Sequence, residues 1–284
     1  MKVSIVGGSL GGLTAACLLR DLGYDVSVYE RSAVRLEQRG AGIGFLPATY
    51  RYLQSRAGVD LTKISVATSN IVYLDAESNV TYKAAHDYLF SSWNTVYAST
   101  LHHFGMQEYH LGSEMVDFSQ TPESVTVHFK DGKTVTSDLL VAADGIGSSA
   151  RSKLIPSCKS EYSGYVAWRG MVPESQLSSE MVERLGSAIT YFVYPHSHIL
   201  VYPIPDHDGR VTPGDRLINF VWYCNYAVGE AFNTLMTDKN GTLRDVSIPP
   251  GYVSESNVAS MKAMAVANLP KLLSDLVLKT AEPF

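Results

Sequence analysis

Residues 3–30 read VSIVGGSLGGLTAACLLRDLGYDVSVYE, and this stretch decides the fold. Residues 3–6 are a short apolar run that stops at glycines, as a strand buried on both faces would. From Gly12 the apolar residues cover a broad helical face, and Gly23 ends the helix. Residues 26–29 then have the pattern of a second strand. This order of elements predicts a right-handed crossover between two parallel strands of one sheet.

The turn between the first strand and the helix has the spacing of a dinucleotide-binding fingerprint. Gly7, Ser9 and Gly12 occupy its three positions, and Ser9 replaces the usual second glycine with another small residue. Small residues let a phosphate approach the backbone, and the helix N-terminus offers it free N–H groups. Glu30 closes the next strand, where a carboxylate accepts hydrogen bonds from ribose hydroxyls. The alternative is an ordinary glycine turn beside a surface glutamate, but the combination of elements favours a nucleotide site. Its predicted contact residues are Gly7, Ser9, Leu10, Gly11, Gly12 and Glu30.

Composition narrows the classes of partner. The chain has 284 residues, of which 45% are hydrophobic, so it is long enough to bury the cores of two interlocked domains. Its net charge of -5 comes without a long run of one sign, so we expect no nucleic acid and no membrane surface as partner. No stretch of about 20 apolar residues is available to span a bilayer. A small molecule is therefore the expected partner.

The cysteines Cys17, Cys158 and Cys224 are odd in number and far apart. This pattern is typical of reduced thiols in a cytoplasmic protein and not of a disulfide framework or a metal cluster. We interpret all three as buried apolar filler and expect no metal site. Glycines interrupt the apolar N-terminal stretch and no small-residue cleavage site follows it, so it does not predict a signal peptide.

The periodicity changes several times between the glycine turn and residue 157. A helical spacing is followed by two pairs of strand-like runs, and a later apolar run before an Asp-Gly turn resembles a further parallel strand of the first sheet. The predicted elements are a helix at 47–56, hairpins at 70–74 with 80–83 and at 124–129 with 134–136, and a strand at 138–143.

Beyond Pro156 the pattern changes to long alternating or aromatic runs. They predict an antiparallel sheet and not a further strand-helix-strand unit. Two helical patterns follow, and Pro270 lies near the first turn of the second. The predicted strands are 165–172, 188–194, 199–204 and 217–224, and the helices are marked by Val258, Met261 and Met264 and by Leu269, Leu272, Leu273 and Leu276.

A second motif, ADGIGSSAR at 143–151, follows the predicted strand at 138–143. Together with the fingerprint it resembles the single-component flavin hydroxylases of the para-hydroxybenzoate hydroxylase type, whose second signature is an Asp-Gly turn followed by Ser and Arg. The resemblance implies flavin adenine dinucleotide (FAD), instead of NAD, as the tightly bound nucleotide. It implies that Asp144 and Gly145 lie near the pyrophosphate and ribityl chain, where Arg151 neutralises charge. Alone, Asp-Gly is a common turn, and only its pairing with the fingerprint makes it specific.

Residues 40–43, Gly-Ala-Gly-Ile, resemble the loop that passes beside the flavin ring in this family. The resemblance implies a close backbone approach at Gly42 and Ile43, which glycine permits. Arg31 and Arg39 are candidates to face a phosphate or an incoming nicotinamide cofactor, and solvated surface positions are the alternative for both. Arg31 is the preferred candidate because it directly follows Glu30.

Four segments of the second half read YSGYVAWRG at 162–170, YPIP at 202–205, NFVWY at 219–223 and LMTD at 235–238. They resemble the 2,6-dihydroxypyridine 3-monooxygenase branch of the family, and the similarity extends over nearly the whole chain. Strand residues such as Arg169 are more often part of sheet packing than of catalysis, although Arg169 is also a candidate partner for a carboxylate.

The resemblance predicts an α/β fold in which a Rossmann-like FAD-binding domain with a parallel sheet interlocks with an α+β substrate domain with an antiparallel sheet. We expect 1–158 to form the FAD-binding domain, a hairpin at about 70–84 to contribute to the substrate domain, and 159–284 to form that domain. Two features depart from the family pattern. The helix around 97–101 lacks an arginine, for which Tyr97 is the candidate substitute. The third signature, a Gly-Asp motif, is absent, so we expect the fold to be C-terminally incomplete.

The implied reaction is reduction of FAD by NADH or NADPH and transfer of one oxygen atom from molecular oxygen to a small aromatic or hydroxypyridine-like substrate. It needs a dry pocket and a group that removes the substrate's hydroxyl proton. His198 and Tyr202 share one face of a predicted strand, so they are the candidate catalytic residues. A solvated turn position is the alternative for His198.

Two other functional classes remain open at this point. One is an inactive protein that retains the fold, and the other is an FAD oxidase or dehydrogenase on the same fold. The chain's pattern also leaves open whether it acts alone or as a homodimer.

Overall fold

The computed structural model describes residues 1–36 and 41–284 of the chain. The elements up to residue 154 are β1 (Lys2–Val6), α1 (Leu10–Asp21), β2 (Asp25–Tyr29), β3 (Gly42–Phe45), α2 (Pro47–Ser55), β4 (Val66–Leu74), β5 (Val80–Ser92), α3 (Trp93–Phe104), β6 (Tyr109–His110), β7 (Met115–Gln120), β8 (Val125–Phe129), β9 (Thr134–Ser137), β10 (Leu139–Ala142) and α4 (Ser149–Leu154). The elements that follow are β11 (Tyr165–Pro173), α5 (Ser179–Leu185), β12 (Ala188–Tyr194), β13 (Ser197–Ile204), β14 (Leu217–Asn225), α6 (Glu230–Met236), α7 (Glu255–Asn268) and α8 (Lys271–Lys279).

The described residues fall into two compact units that alternate along the chain. The first lies within 1–38, 51–59 and 96–161, and the second within 39–50, 60–95 and 162–284. The part of the second unit at 60–95 is longer than the hairpin at 70–84 that the sequence suggested. Each unit has its own sheet and its own buried apolar residues.

The amino-terminal stretch forms the predicted strand-helix-strand unit. β1 pairs in parallel with β2 on one side and with β10 on the other, and the described strands of this sheet have the order β10-β1-β2-β6. The predicted parallel strand before the Asp-Gly turn is therefore confirmed. Since the helical crossover runs to one side of β1 and β10 lies on the other, the carboxyl ends of β1 and β10 border the crevice where such sheets bind ligands.

Helix α1 begins at Leu10 and not at Gly12, because Ser9 has an extended backbone (φ -80°, ψ -171°) and takes the cap position. Its end agrees with the sequence prediction: Gly23 has a φ of +85°. The buried face of α1 consists of Gly12, Leu13, Ala16 and Cys17. A second small sheet in this unit has the order β7-β8-β9; the hairpin of β8 and β9 was predicted, and β7 was not.

The large sheet of the second unit has the order β11-β14-β13-β12-β4-β5-β3 in the part of the chain that the structure describes. The sequence predicted an antiparallel sheet, and most of its pairs are antiparallel. The exception is β12, which runs parallel to β4. Alternating burial is the same in parallel and antiparallel strands that have one covered face, so the sequence pattern could not reveal this pairing.

One face of the large sheet packs against α7 and α8. Trp168, Phe220 and Trp222 from the sheet share an apolar cluster with Met261 and Leu273 from the helices. The other face carries a second cluster that includes Phe90 and Tyr202 and is only partly covered by apolar side chains. The helices therefore leave the second face available for polar chemistry.

The interpretation of the cysteines needs one correction. Cys17 and Cys224 are buried free thiols as predicted, but Cys158 is exposed. It lies just beyond α4, in a loop with no regular structure, where no packed layer covers the side chain.

Within residues 1–36 and 41–284, no group of three or more His, Cys, Asp or Glu side chains is arranged to hold a metal ion. No helix among the same residues has the length and hydropathy to cross a membrane.

Candidate functional site

The glycine turn after β1 is so tight that side chains are excluded from two of its positions. Gly7 has a φ of +99°, and a Cβ atom added there would lie 2.2 Å from the carbonyl oxygen of Ala143. A Cβ atom added at Gly12 would lie 1.8 Å from the carbonyl oxygen of Gly7. The two glycines therefore allow the start of α1 to close onto the ends of β1 and β10, as the dinucleotide fingerprint requires.

The first turn of α1 presents an anion-binding surface. The N–H of Leu13 donates to the carbonyl oxygen of Ser9 at 2.9 Å, and the N–H groups that precede it have no acceptor within the helix. The Ser9 side chain makes no capping hydrogen bond. A Cβ atom added at Gly11 would meet nothing within 4 Å, so the space beside this turn is open. Leu10 is partly exposed at the same turn. Free N–H groups, a small hydroxyl and open space suit a phosphate.

Glu30 has a structural role in addition to the predicted one. Its side chain is buried, with 5% exposure, and one carboxylate oxygen accepts the Gly8 N–H at 2.8 Å. The other accepts the Ser32 N–H at 2.8 Å. Glu30 therefore anchors the glycine turn, while each oxygen keeps a further lone pair for a sugar hydroxyl. The sequence predicted only the second of these uses.

The Asp144-Gly145 turn supplies an acceptor that lacks a partner. One carboxylate oxygen of Asp144 accepts the Ala150 N–H at 3.3 Å, and the other is buried with no hydrogen-bond partner in the described chain. Arg151 braces the turn by donating to the carbonyl oxygens of Gly145 and Ile146. Buried polar groups are normally satisfied, so the unpartnered oxygen of Asp144 suggests a donor supplied by a ligand.

These features fit the adenosine diphosphate half of FAD. The glycines leave room for phosphate, the helix N-terminus supplies N–H donors, and Glu30 and Asp144 supply acceptors. Of the two arginines considered for this site, Arg31 is exposed. Arg39 lies outside the described residues, as does Gly40 of the predicted flavin loop.

Gly42, the second glycine of that loop, belongs to the second unit and opens β3. Its N–H donates to the side-chain oxygen of Asn219 at 3.0 Å. A Cβ atom added to Gly42 would lie 2.6 Å from the Tyr202 ring, so only glycine fits against this ring. Ile43, the other predicted loop contact, is partly buried beside it in β3.

Asn219 was not predicted as a site residue. It is fully buried in β14, and its side-chain nitrogen has no hydrogen-bond partner among the described residues. The available signal was a single amide in the otherwise apolar run 217–222. Such a residue needs partners when buried, and sequence spacing alone does not show where they lie.

The partly covered face of the large sheet brings the two predicted catalytic residues onto one surface. Strand register places His198 opposite Tyr223 and Tyr202 opposite Asn219, and alternation puts these four side chains on the same face. Arg169 lies on this face as well, in register with Val221 of β14. The prediction that His198 and Tyr202 act in catalysis is not tested by this placement.

Tyr202 lies deep in this face. It is 4% exposed and stacks on Phe90 with ring centroids 4.2 Å apart. Burial raises the pKa of Tyr202 to about 12, although the nearby charge of Arg169 acts in the opposite direction. At neutral pH the phenol is therefore protonated and can donate or accept a hydrogen bond.

His198 lies in a shallower position than Tyr202. Its ring stacks on Tyr223 with centroids 4.6 Å apart, and the residue is partly exposed. Burial lowers the pKa of His198 below the ordinary value for histidine. A neutral imidazole at physiological pH is the form that accepts a proton.

Comparisons with known proteins agree with these features. A family model described as an NAD(P)-binding Rossmann-like domain matches residues 5–34, and one described as FAD binding domain-like matches residues 162–284. The chain is 34% identical over 284 residues to the 2,6-dihydroxypyridine 3-monooxygenase of Paenarthrobacter nicotinovorans. This match covers 100% of this chain and 70% of that protein. It is also 28% identical over 220 residues to the 3-amino-4-hydroxybenzoate 2-monooxygenase of Streptomyces cremeus. That match covers 72% of this chain and 54% of that protein.

A solved structure gives the same result. The 2,6-dihydroxypyridine-3-hydroxylase from Arthrobacter nicotinovorans superimposes with a TM-score of 0.91 at 33% identity, over 100% of this chain and 71% of the other. This chain therefore corresponds to part of the length of each of these relatives.

Proposed function

This chain belongs to the FAD-dependent monooxygenases, and on that premise we propose that it hydroxylates a small aromatic or hydroxypyridine-like substrate with NADH or NADPH as co-substrate. The observation that carries the proposal is the glycine cradle at Gly7 and Gly12 beside the unpartnered oxygen of Asp144. An ordinary glycine turn would not need a buried acceptor without a donor.

The first unit provides the residues that would hold the adenosine diphosphate half of FAD. Ser9, Leu10, Gly11 and the N-terminus of α1 bind the phosphates, and Glu30 and Asp144 accept hydrogen bonds from ligand hydroxyls. Gly42, Ile43, Gly145 and Arg31 are proposed as further cofactor contacts. When bound, FAD supplies the redox chemistry that activates molecular oxygen.

The partly covered sheet face of the second unit is the proposed substrate surface. The neutral imidazole of His198 accepts the proton of a ring hydroxyl at its unprotonated nitrogen, which makes the ring electron-rich. Tyr202 holds the substrate oxygen by a hydrogen bond from its phenol. Phe90 and Leu200 exclude water from this face, because both belong to its apolar cluster.

Arg169 gives this face a preference for substrates with negative charge. Its guanidinium makes no ion pair and no side-chain hydrogen bond with the residues that the structure describes, and the residue is only partly exposed. The strand residues that share the face with Arg169 include Ala167, Met171, Asn219, Val221, Tyr223, His198, Leu200, Tyr202, Tyr191 and Tyr73, and none of these is acidic. A partly buried cation among neutral side chains favours an anionic ligand.

Isotopically labelled dioxygen tests the proposal directly. The purified protein, saturated with FAD, is given NADH or NADPH and a panel of hydroxylated benzoates and hydroxypyridines. A hydroxylase places one labelled atom in the product. Labelled hydrogen peroxide with no label in the organic product would instead indicate an oxidase, and a protein that binds no FAD would contradict the proposal altogether.

Domain roles, location and assembly follow as parts of the same proposal. We assign cofactor binding to 1–158 and substrate binding to 159–284, with the hairpin at about 70–84 joining the latter. Free cysteines are typical of the reducing cytoplasm, which is the location we propose. We propose a homodimer as the assembly. Light scattering distinguishes it from a monomer.

A further inference from the structure

A chain of hydrogen bonds in the first unit ends on the glycine turn. The N–H of Leu36 donates to the Tyr97 hydroxyl at 3.3 Å, and the hydroxyls of Tyr97 and Tyr109 are 3.1 Å apart. The Tyr109 hydroxyl donates to the carbonyl oxygen of Gly8 at 2.8 Å. A Cβ atom added to Gly8 would lie 2.3 Å from that hydroxyl, so the contact requires glycine here.

The chemistry of the groups at both ends fixes the direction of this chain. A carbonyl oxygen only accepts, so the single Tyr109 proton goes to Gly8. The Tyr97 hydroxyl must then donate to Tyr109, since the Tyr109 proton is already used. The Leu36 N–H, which can only donate, gives its hydrogen bond to the oxygen of the Tyr97 hydroxyl. All these dipoles therefore point toward the Gly8 carbonyl.

Burial makes the chain strong and keeps its protons in place. Tyr97 is 1% exposed and Tyr109 is 4% exposed, and hydrogen bonds in series polarise one another in such surroundings. Burial, followed by the contact with Tyr97, raises the pKa of Tyr109 well above the ordinary value for tyrosine. The Tyr109 hydroxyl is therefore a donor throughout the physiological pH range.

The Gly8 carbonyl belongs to the same peptide group as the Ser9 N–H. Accepting a hydrogen bond at the carbonyl polarises the amide and makes its N–H a stronger donor. That N–H lies at the start of α1, among the groups that have no helical acceptor. The Gly8 N–H, which belongs to the preceding Gly7-Gly8 peptide, donates to Glu30 at 2.8 Å, so the backbone on the amino side of Gly8 is held as well.

We infer that Tyr97 and Tyr109 are positioning residues for the cofactor: their hydroxyls orient and polarise the Gly8-Ser9 peptide so that its N–H donates to the pyrophosphate of the bound dinucleotide. The inference rests on the proposed function, because it assumes that FAD binds at this turn. It extends the glycine fingerprint by two buried side chains that lie far from it in sequence.

The test compares three tyrosine-to-phenylalanine variants of the whole chain. Tyr109→Phe removes the donor to Gly8, whereas Tyr97→Phe keeps that donor and removes the hydroxyl that polarises it. Tyr52→Phe is the matched control, because Tyr52 is a buried tyrosine of the same unit whose hydroxyl lies near the Cys17 thiol and not at the Gly8 carbonyl. FAD affinity is measured by quenching of flavin fluorescence, and the thermal midpoint of each apoprotein is recorded beside it.

We expect Tyr109→Phe to weaken FAD binding about tenfold and Tyr97→Phe about threefold, while Tyr52→Phe binds like the parent chain. In ¹⁵N-labelled apoprotein, the Ser9 amide proton should move upfield in the first two variants and stay in place in the third. A purely structural role would lower the thermal midpoint and leave both the affinity and this resonance unchanged, and that result would overturn the inference.

Two further outcomes are separable. If Tyr109→Phe does not fold, Tyr97→Phe carries the test alone, and an unchanged affinity there contradicts the inference. If the parent chain binds no FAD, the proposed function fails. The Ser9 resonance in the apoprotein still decides whether the tyrosines polarise the peptide, and an unshifted resonance overturns that part independently.

Discussion

At the residue scale, His198 links the second unit to the proposed proton transfer. Because burial lowers its pKa, the imidazole stays neutral at pH values below the ordinary histidine value of about 6.5. We predict that the hydroxylation rate falls only on the acidic side of that value. The folded state takes up this proton at a lower pH than the unfolded chain does, so the contribution of His198 to stability is also lost as the pH falls through the same window.

The variant His198→Asn tests this assignment. It should slow hydroxylation by about 100-fold or more, while the rate at which NADH or NADPH reduces the flavin stays unchanged. Stopped-flow absorbance separates the two rates. A variant that turns over like the parent chain, with the same acidic limb in its pH profile, would exclude His198 as the base.

Arg169 decides which substrates the sheet face prefers. Replacing it by glutamine removes the cation and keeps most of the length of the side chain. We predict that Arg169→Gln raises KM for hydroxybenzoates by about tenfold or more, the loss expected for one charge-assisted hydrogen bond. A neutral substrate analogue is the control, and its KM should stay within about twofold. Equal effects on both substrates would indicate a packing role instead.

At the element scale, alanine substitutions at two neighbouring glycines in the first turn of α1 should change the stability of the protein in opposite directions. Gly12→Ala places a methyl group against the Gly7 carbonyl and should destabilise the protein by about 3 kcal/mol, the upper part of the range for overpacking. Gly11→Ala meets no atom and should stabilise the free protein by about 0.5–1 kcal/mol, since alanine favours helix.

Binding should separate the two alanine variants further. The methyl group added at Gly11 projects into the open space beside the free N–H groups, so FAD affinity should fall even as stability rises. Urea unfolding and flavin fluorescence measure the two quantities. If Gly11→Ala binds FAD as tightly as the parent chain, the phosphates do not approach this turn.

A buried ion pair fixes the ends of two neighbouring strands in the second unit. Glu174, which follows β11, and Arg216, which precedes β14, make a two-point pair at 2.6 and 3.0 Å, and the Gly214 N–H donates to the same carboxylate at 2.7 Å. Burial alone would raise the pKa of Glu174, but the hydrogen bonds from Arg216 and Gly214 outweigh it and lower the pKa below its ordinary value.

We predict that Glu174→Gln destabilises the protein by about 3–5 kcal/mol, because it leaves Arg216 buried without a counter-charge. The depressed pKa means that the parent chain keeps this contribution above the ordinary glutamate pKa of about 4.3 and loses it as the pH falls further. Glu114→Gln, which breaks an exposed pair with Lys130, is the control and should cost less than about 1 kcal/mol. Denaturant unfolding at neutral and acidic pH measures both variants.

At the scale of the whole molecule, ligand linkage tests whether the cradle takes the adenosine half of the cofactor. FAD at 100 times its Kd should stabilise the protein by about 2.7 kcal/mol, seen as a higher thermal midpoint. ADP should also raise the midpoint, because the features of the cradle fit that half. FMN, which lacks it, should have a smaller effect. A midpoint raised by FMN and not by ADP would contradict the site.

The glycine turn and the strands around it were predictable because their signals are local. Gly7, Gly12 and Glu30 have fixed spacings between a strand and a helix, and those spacings follow from backbone sterics and helix geometry. The same local logic predicted β8, β9 and β10, and the family comparison confirms the resemblance that the two motifs suggested. The parallel pairing of β12 with β4 was missed because alternation records which residues are buried and not which strand lies beside them.

By itself, the sequence determined the dinucleotide turn, the parallel strand-helix-strand unit and the membership of the chain in a flavoprotein family, because each depends on residues that are close along the chain or on motifs of fixed spacing. Only the tertiary structure decided that Asn219 holds Gly42, that Tyr109 holds Gly8 and that Cys158 is exposed. These contacts join residues far apart in sequence, and burial and hydrogen-bond partners are fixed only when the packed elements bring such residues together.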